Sequence, residues 1–113
     1  MAIIRLSDTF RSASQDPTDV QYYIWYDADE APKACLQLTH GVAGYIDRYE
    51  ELARFFVNNG YAVCGMDNLG HGRTAGLERL GIMPDDGADA VIEDMHTLTG
   101  IMKEKFPGLP YIL

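Results

Sequence analysis

One stretch, residues 34–76, most restricts the folds open to this chain. It contains two apolar runs, Ala34–Leu38 and Tyr61–Met66, each too short for a helix and each followed by a glycine-rich turn. The segment between them has helical periodicity. A strand–helix–strand unit of this length makes a right-handed crossover between parallel strands. Because ligands bind at the carboxyl ends of such strands, both glycine-rich turns are candidate sites.

The helix of this unit is predicted to begin near Asp47 and to end at residues 58–60, where Gly60 suits a left-handed cap. Asp47 and Glu50 have the spacing of a capping box, in which the two side chains satisfy free backbone N–H groups. The periodicity predicts a buried stripe formed by Tyr49, Leu52, Ala53 and Phe56.

The segments on either side extend this unit into an α/β fold. Residues 7–14 and 20–26 are predicted strands of an antiparallel hairpin at the sheet edge, joined by a turn at Pro17. In the second strand, apolar residues at 20, 22, 24 and 26 alternate with Gln21, Tyr23 and Trp25, which predicts one core face and one hydrophobic outer face. A helix over residues 88–106 should bury Val91, Met95, Leu98 and Met102.

A further apolar strand begins at Pro110, and the chain stops within it at Leu113. A domain seldom stops inside a buried strand, because unpaired backbone groups would be exposed. We therefore expect residues 1–113 to be the amino-terminal part of one longer α/β domain, with an antiparallel edge hairpin followed by parallel strands and crossover helices.

The composition and charge of the chain limit which classes of partner it can bind. The apolar fraction of 47% is that of a core-forming protein, and the formal charge of −8 disfavours nucleic acid and anionic membranes. The amino terminus lacks the apolar core of a signal peptide, and no apolar run is long enough to cross a membrane. These features predict a cytoplasmic location.

Cysteines, histidines and acidic residues suggest no metal site. Cys35 and Cys64 are predicted to be free, buried thiols, with a disulfide left open if their strands are neighbours. The histidines at 40, 71 and 96 lack the local spacing of a metal motif, although two of them end adjacent strands. The acidic residues at 85–94 are interpreted as solvated charge at a helix start, and His96 as a solvated face residue.

The two turns differ in what they can bind. Backbone N–H groups of the turn at residues 40–44 can face the cleft and hold an oxyanion or a phosphate, although a plain strand-to-helix turn has the same glycines. The turn at residues 67–76 contains Gly70, Gly72 and Gly76, with the third glycine one position late for a dinucleotide fingerprint and no helix expected after it. Nucleotide binding is therefore not expected.

The serines of the chain, Ser7, Ser12 and Ser14, all lie in the first hairpin. None has the Gly-x-Ser-x-Gly context of a nucleophile elbow, and neither cysteine lies at a strand end. The chain therefore offers no activated nucleophile with a partnering base.

The segment LTHGVAGYIDRYEELARFFVNNGYAVCGMDNLGHGRTAG resembles the amino-terminal half of an α/β-hydrolase, in the monoacylglycerol lipase and lysophospholipase branch. The resemblance covers residues 8–113. The matching features fall in family order: His40-Gly41, Arg48-Tyr49, Gly60-Tyr61, Asp67-x-x-Gly70-His71-Gly72, and the tail at residues 106–113, which resembles the strand before the nucleophile elbow.

This resemblance implies a serine hydrolase, without a cofactor, that cleaves a glycerol-linked or similar lipid ester. It makes the backbone N–H of Val42 the first oxyanion-hole donor, with Gly41 permitting the turn and His40 shaping the loop. It makes Gly70, His71 and Gly72 a wall beside the site, with His71 not the catalytic histidine.

In the family, the catalytic triad and the lid lie beyond the position of Leu113. The chain alone is therefore expected to be inactive, and membrane contact is expected only through that lid. The alternative is a non-catalytic interaction module, whose open strand edge from Pro110 to Leu113 pairs with another chain. In a longer enzyme, the same edge is expected to pair with the carboxyl-terminal segment.

Overall fold

A computed structural model describes residues 2–40, 44–75 and 85–113, apart from the side chain of Asp47. The strands are β1 (Ile3–Arg11), β2 (Asp19–Asp27), β3 (Ala34–Leu38), β4 (Tyr61–Met66) and β5 (Tyr111–Ile112). The helices are α1 (Glu50–Asn58), α2 (Gly72–Ala75) and α3 (Gly87–Lys105), and a 3₁₀ turn, Ile46–Tyr49, precedes α1. No helix in these ranges has the length and apolar composition needed to cross a bilayer.

The five strands form one mixed sheet in the order β1-β2-β4-β3-β5. β1 and β2 form the predicted antiparallel edge hairpin, and β2 also runs antiparallel to β4. β3 is parallel to both β4 and β5. The predicted parallel β3–α1–β4 unit is therefore confirmed, and so are the bounds of β3 and β4.

The first strand lies earlier in the chain than the predicted residues 7–14. It pairs along its whole length with the nine residues of β2, from Ile3 opposite Asp27 to Arg11 opposite Asp19. Ser12 and Ser14 lie beyond the strand, because their side chains bond to α3 and to the residue before it. The prediction failed because the polar residues of this strand carry no alternation that marks its start.

Helices cover both faces of the sheet, so the predicted outer face of β2 is wrong. Tyr23 and Trp25 are fully buried on the α1 side, together with Ile46, Ala53, Val57 and Val63. The α3 side buries a second cluster, formed by Val20, Ile24, Cys35, Ala62, Cys64, Met66, Leu98 and Met102. Both cysteines are free, as predicted.

The start of α1 differs from the prediction. The residue at its N-cap, Tyr49, makes no side-chain cap hydrogen bond. The Glu50 carboxylate accepts instead from Arg5 and Arg54 and from the indole of Trp25, each at 2.8 Å. Leu52 is 43% exposed. The other three residues of the predicted stripe, Tyr49, Ala53 and Phe56, do pack on the core, so Leu52 alone departs from it.

The bounds of α3 are within one residue of the prediction, and His96 is exposed as expected. The solvated interpretation of the acidic run is wrong for Asp94, which is fully buried and accepts from Ser12 Oγ and the Ala13 N–H, both at 2.7 Å. Asp86 likewise binds Ser14 Oγ and the Gln15 N–H. These carboxylates fasten the end of the hairpin to α3.

A buried glutamine connects β3 to the elements beside it. The side-chain oxygen of Gln37 accepts from Thr99 Oγ1 at 2.8 Å and from the hydroxyl of Tyr111. Its amide nitrogen donates to the Met95 carbonyl at 3.1 Å. This network holds β3, α3 and β5 together.

Candidate functional site

The two predicted turns follow neighbouring parallel strands. Leu38 lies opposite Gly65 in the β3–β4 register, so His40 and Asp67 are the equivalent positions just beyond the strands. Both side chains are buried, His40 at 8% exposure and Asp67 at 1%. The carboxyl edge of the sheet therefore brings the two turns into direct contact, as the sequence predicts.

His40 contacts the second turn in two ways. Its Nε2 accepts a hydrogen bond from the Asn68 N–H at 2.9 Å. Since neutral imidazole accepts only through its unprotonated nitrogen, His40 carries its proton on Nδ1. Its ring also lies 4.9 Å, centroid to centroid, from that of His71. The predicted loop-shaping and wall residues are thus neighbours.

His71 itself is tied to its own loop, with Nδ1 3.0 Å from the Leu69 carbonyl oxygen. Among the described residues, no three His, Cys, Asp or Glu side chains are grouped so as to hold a metal ion.

Asp67 bonds to several segments within the described part of the chain, and sequence reasoning did not select it as a site residue. Its Oδ1 accepts from the Ile46 N–H at 2.8 Å, and its Oδ2 from the Arg73 N–H at 3.0 Å. Its carbonyl accepts from Thr74 Oγ1 at 2.5 Å, and its N–H donates to the Gln21 carbonyl at 2.9 Å. An acid directly after a buried strand was the available signal, because a buried carboxylate needs donors.

The second turn depends on glycine at two positions. Gly70 and Gly72 have φ angles of +77° and +49°, in the left-handed region that favours glycine. A Cβ on Gly72 would lie 2.4 Å from Asp67 Cγ. Gly72 therefore provides both the turn of the chain and the space for the buried carboxylate. It also begins α2, a one-turn helix that the sequence did not predict.

Val42 and Gly41, the predicted oxyanion donor and its hinge, lie outside the described residues. The donor assignment therefore stays a prediction. Of the described residues on either side, His40 bonds to Asn68 and Ile46 bonds to Asp67.

The serines and thiols of the described residues are not arranged for nucleophilic attack. Ser12 and Ser14 bind carboxylates, and Ser7 lies within the exposed part of β1. Burial raises the pKa of the Cys64 thiol to about 12, and burial also raises that of Cys35. A thiol reacts as its thiolate, so both are protonated and inert at neutral pH.

The sequence profile of one family, described as serine aminopeptidase S33, matches residues 30–113. The chain belongs to the S33 family. Its fold is the α/β-hydrolase fold, and the resemblance found in the sequence is confirmed. Relatives of this S33 chain include a monoacylglycerol lipase of Mycolicibacterium smegmatis, 33% identical over 94 residues, and a human monoglyceride lipase, 34% identical over 82 residues.

Solved structures agree with this assignment. A thermostable carboxyl esterase from Bacillus coagulans, solved in complex with glycerol, matches 98% of the S33 chain with a TM-score of 0.84 and 33% identity. A soluble variant of monoglyceride lipase from Saccharomyces cerevisiae matches 96% of it with a TM-score of 0.71, and at 20% identity shows the fold alone.

The S33 chain spans only part of each of these proteins. The aligned region covers 83% of the chain but 32% of the mycobacterial lipase, and 73% of the chain but 26% of the human one. It covers 35% of the carboxyl esterase and 34% of the yeast lipase.

Proposed function

We propose that this chain is the amino-terminal part of a carboxylic ester hydrolase acting on monoacylglycerol or lysophospholipid-like substrates. One structural observation carries the proposal. The turns after β3 and β4 meet at the carboxyl edge of the sheet, where the His40 and His71 rings lie 4.9 Å apart. Ligands of open α/β sheets bind at this edge. The S33 family match and the lipases among its relatives support the choice of ester chemistry.

In this proposal, the backbone N–H of Val42 is the first donor of the oxyanion hole. A serine on the segment after Leu113 attacks the ester carbonyl, and the carbonyl oxygen becomes an oxyanion that accepts from this N–H. The second donor, the rest of the triad and the lid come from the same segment. Losing one such donor typically raises the barrier by about 2.7–4 kcal/mol.

A substitution that removes only this N–H tests the donor assignment in the full-length enzyme. Val42→Pro should lower kcat by about a hundredfold or more while thermal unfolding stays near that of the wild type. Val42→Ala is the matched control, since it shortens the side chain and keeps the N–H, and should retain activity. Equal activity of the proline variant would refute the assignment.

A fluorophosphonate probe, which labels activated serines, tests the reaction class. The chain ending at Leu113 should stay unlabelled and should not hydrolyse an activated short-chain ester. The full-length protein should be labelled and active. A cytoplasmic location belongs to the same proposal, and fractionation of cells expressing the full-length protein tests it.

The proposed partner binds at the outer edge of β5. β5 is the last strand in the sheet order, and Ile112 and Leu113 are 46% and 68% exposed. We propose that the carboxyl-terminal segment of the enzyme pairs with this edge. If neither form of the protein were labelled, the interaction module that pairs this edge with another chain would be favoured instead.

A further inference from the structure

We propose that Asp67 and His40 are positioning residues, which fix the two ends of the segment that contains Val42, at His40 and Ile46, by bonds to the loop after β4. The inference rests on the function proposed above. It assigns to Asp67 a role that the resemblance to lipases did not supply, and it depends on contacts of described residues alone.

The Asp67 carboxylate joins two segments that are separate in the chain. One oxygen accepts from the Ile46 N–H, 21 positions earlier, and the other from the Arg73 N–H, six positions later. The side chain is 1% exposed, so water cannot replace either bond. An ionised carboxylate is a pure acceptor, which suits it to two N–H donors at once.

His40 makes the second connection. Its Nε2 accepts from the N–H of Asn68, the residue directly after Asp67. Residues 41–45, which include Val42, are thus bordered by His40 on one side and Ile46 on the other. Ile46 bonds to residue 67 and His40 to residue 68, two consecutive residues that follow the central strand of the sheet.

This anchoring matters because an oxyanion donor acts only over a narrow range of distance, about 2.7–3.1 Å from the developing charge. A misplacement of about 1 Å can cost roughly a hundredfold in rate. Since the oxyanion forms in the transition state, loosening the donor should lower kcat and leave KM nearly unchanged.

Asp94 provides a matched control carboxylate. It is fully buried, as Asp67 nearly is, and it also accepts two hydrogen bonds, from Ser12 Oγ and the Ala13 N–H at 2.7 Å. Its partners follow β1 and belong to neither turn. If the loss of any buried carboxylate destabilises the protein, substitutions of Asp67 and of Asp94 should both lower its stability. Only substitutions of Asp67 should disturb the position of the segment that contains Val42.

The test compares Asp67→Asn with Asp94→Asn in the full-length enzyme. Asparagine keeps the size of aspartate but offers one acceptor oxygen, so one of the two backbone N–H groups loses its partner. Asp67→Asn should lower kcat, per fluorophosphonate-labelled site, by about tenfold or more, with KM within about twofold of the wild type. Asp94→Asn should keep the wild-type kcat. Equal kcat values in the two variants would overturn the inference.

A second pair of variants covers the case in which Asp67→Asn does not fold. His40→Gln places an amide oxygen near the position of Nε2, whereas His40→Leu removes the acceptor. Both lose the imidazole ring, and the glutamine variant alone keeps an acceptor for the Asn68 N–H. The glutamine variant should have the higher kcat by about fivefold or more, and equal values would contradict the role of His40.

Hydrogen exchange separates failure of this inference from failure of the proposed function. In Asp67→Asn, at least one of the peptides spanning residues 44–49 and 72–75 should exchange faster than in the wild type, and in Asp94→Asn neither should. This readout needs no activity. An inactive wild-type protein would refute the ester hydrolase, and unchanged exchange in Asp67→Asn would refute the anchoring.

Discussion

The indole Nε1 of Trp25 donates a hydrogen bond of 2.8 Å to Oε2 of Glu50, across the interface between β2 and α1. Arg5 and Arg54 donate to the same carboxylate. The first residue of α1 is therefore a hub that joins the edge hairpin to the helix before β4.

This hub predicts an acid-sensitive part of the stability. Burial tends to raise the pKa of Glu50, but the bonds from Arg5, Trp25 and Arg54 outweigh it and hold the pKa below its ordinary value. A depressed folded-state pKa gives stability that is present above the unfolded pKa, about 4.3, and is lost as the pH falls through the folded value.

Glu50→Gln should therefore destabilise the full-length protein by about 1 kcal/mol at pH 7, because the pairs are partly exposed. The difference from the wild type should shrink below about pH 4. Urea unfolding between pH 3 and pH 7 measures it. Glu51→Gln, at the exposed neighbouring position, is the control. A difference that grew on acidification would contradict the prediction.

Gly72→Ala should lower the free energy of unfolding by about 2–5 kcal/mol. The alanine would be strained in the left-handed conformation, and its Cβ would also clash with the buried Asp67 side chain. Gly108→Ala is the matched control. Gly108 also has a positive φ, +79°, but a Cβ there would meet nothing within 4 Å. Gly108→Ala should therefore lower the free energy of unfolding by about 1–2 kcal/mol. Urea unfolding of both variants tests this, and equal losses would show that Asp67 moves aside without cost.

Gly100→Ala should stabilise the protein by about 1 kcal/mol, because Gly100 is an exposed residue inside α3 and alanine has the higher helix propensity. A Cβ at this position meets nothing within 4 Å. The midpoint of urea unfolding should rise. A fall would mean that another segment of the full-length protein packs against this position.

Both cysteines should be inert in the folded protein. Burial raises the pKa of each thiol, that of Cys64 to about 12, so almost no thiolate forms at pH 8. A thiol-specific disulfide reagent should react with them only after unfolding in urea. Ser7→Cys, at an exposed position of β1, should add one thiol that reacts at once. Rapid reaction of the wild-type thiols at pH 8 would contradict the prediction.

The elements that were predicted correctly are those whose sequence pattern lies entirely within the element. β3 and β4 are short apolar runs between breakers, and α3 has a long, regular stripe, so their bounds are nearly as expected. Both cysteines lie in those apolar runs, which is why their burial was predicted correctly.

Polar residues whose partners are distant in the chain were the hardest to predict. Asp94 bonds to Ser12, 82 positions away, and Asp67 to Ile46, 21 positions away. Periodicity reports which face of an element is apolar, and it carries no information about which buried acid meets which donor. The hydrogen bonds of Glu50 were missed for the same reason, because their partners Arg5 and Trp25 lie 45 and 25 positions away.

The strand order β1-β2-β4-β3-β5 has a consequence for synthesis on the ribosome. As the nascent chain emerges, β3 appears before β4 but has no partner in the hairpin already made, because β4 alone bridges them. Residues 34–38 must stay unpaired until residue 66 has left the exit tunnel. The apolar β3 therefore emerges without its native strand partner, and such unpaired strand edges favour misassembly during translation.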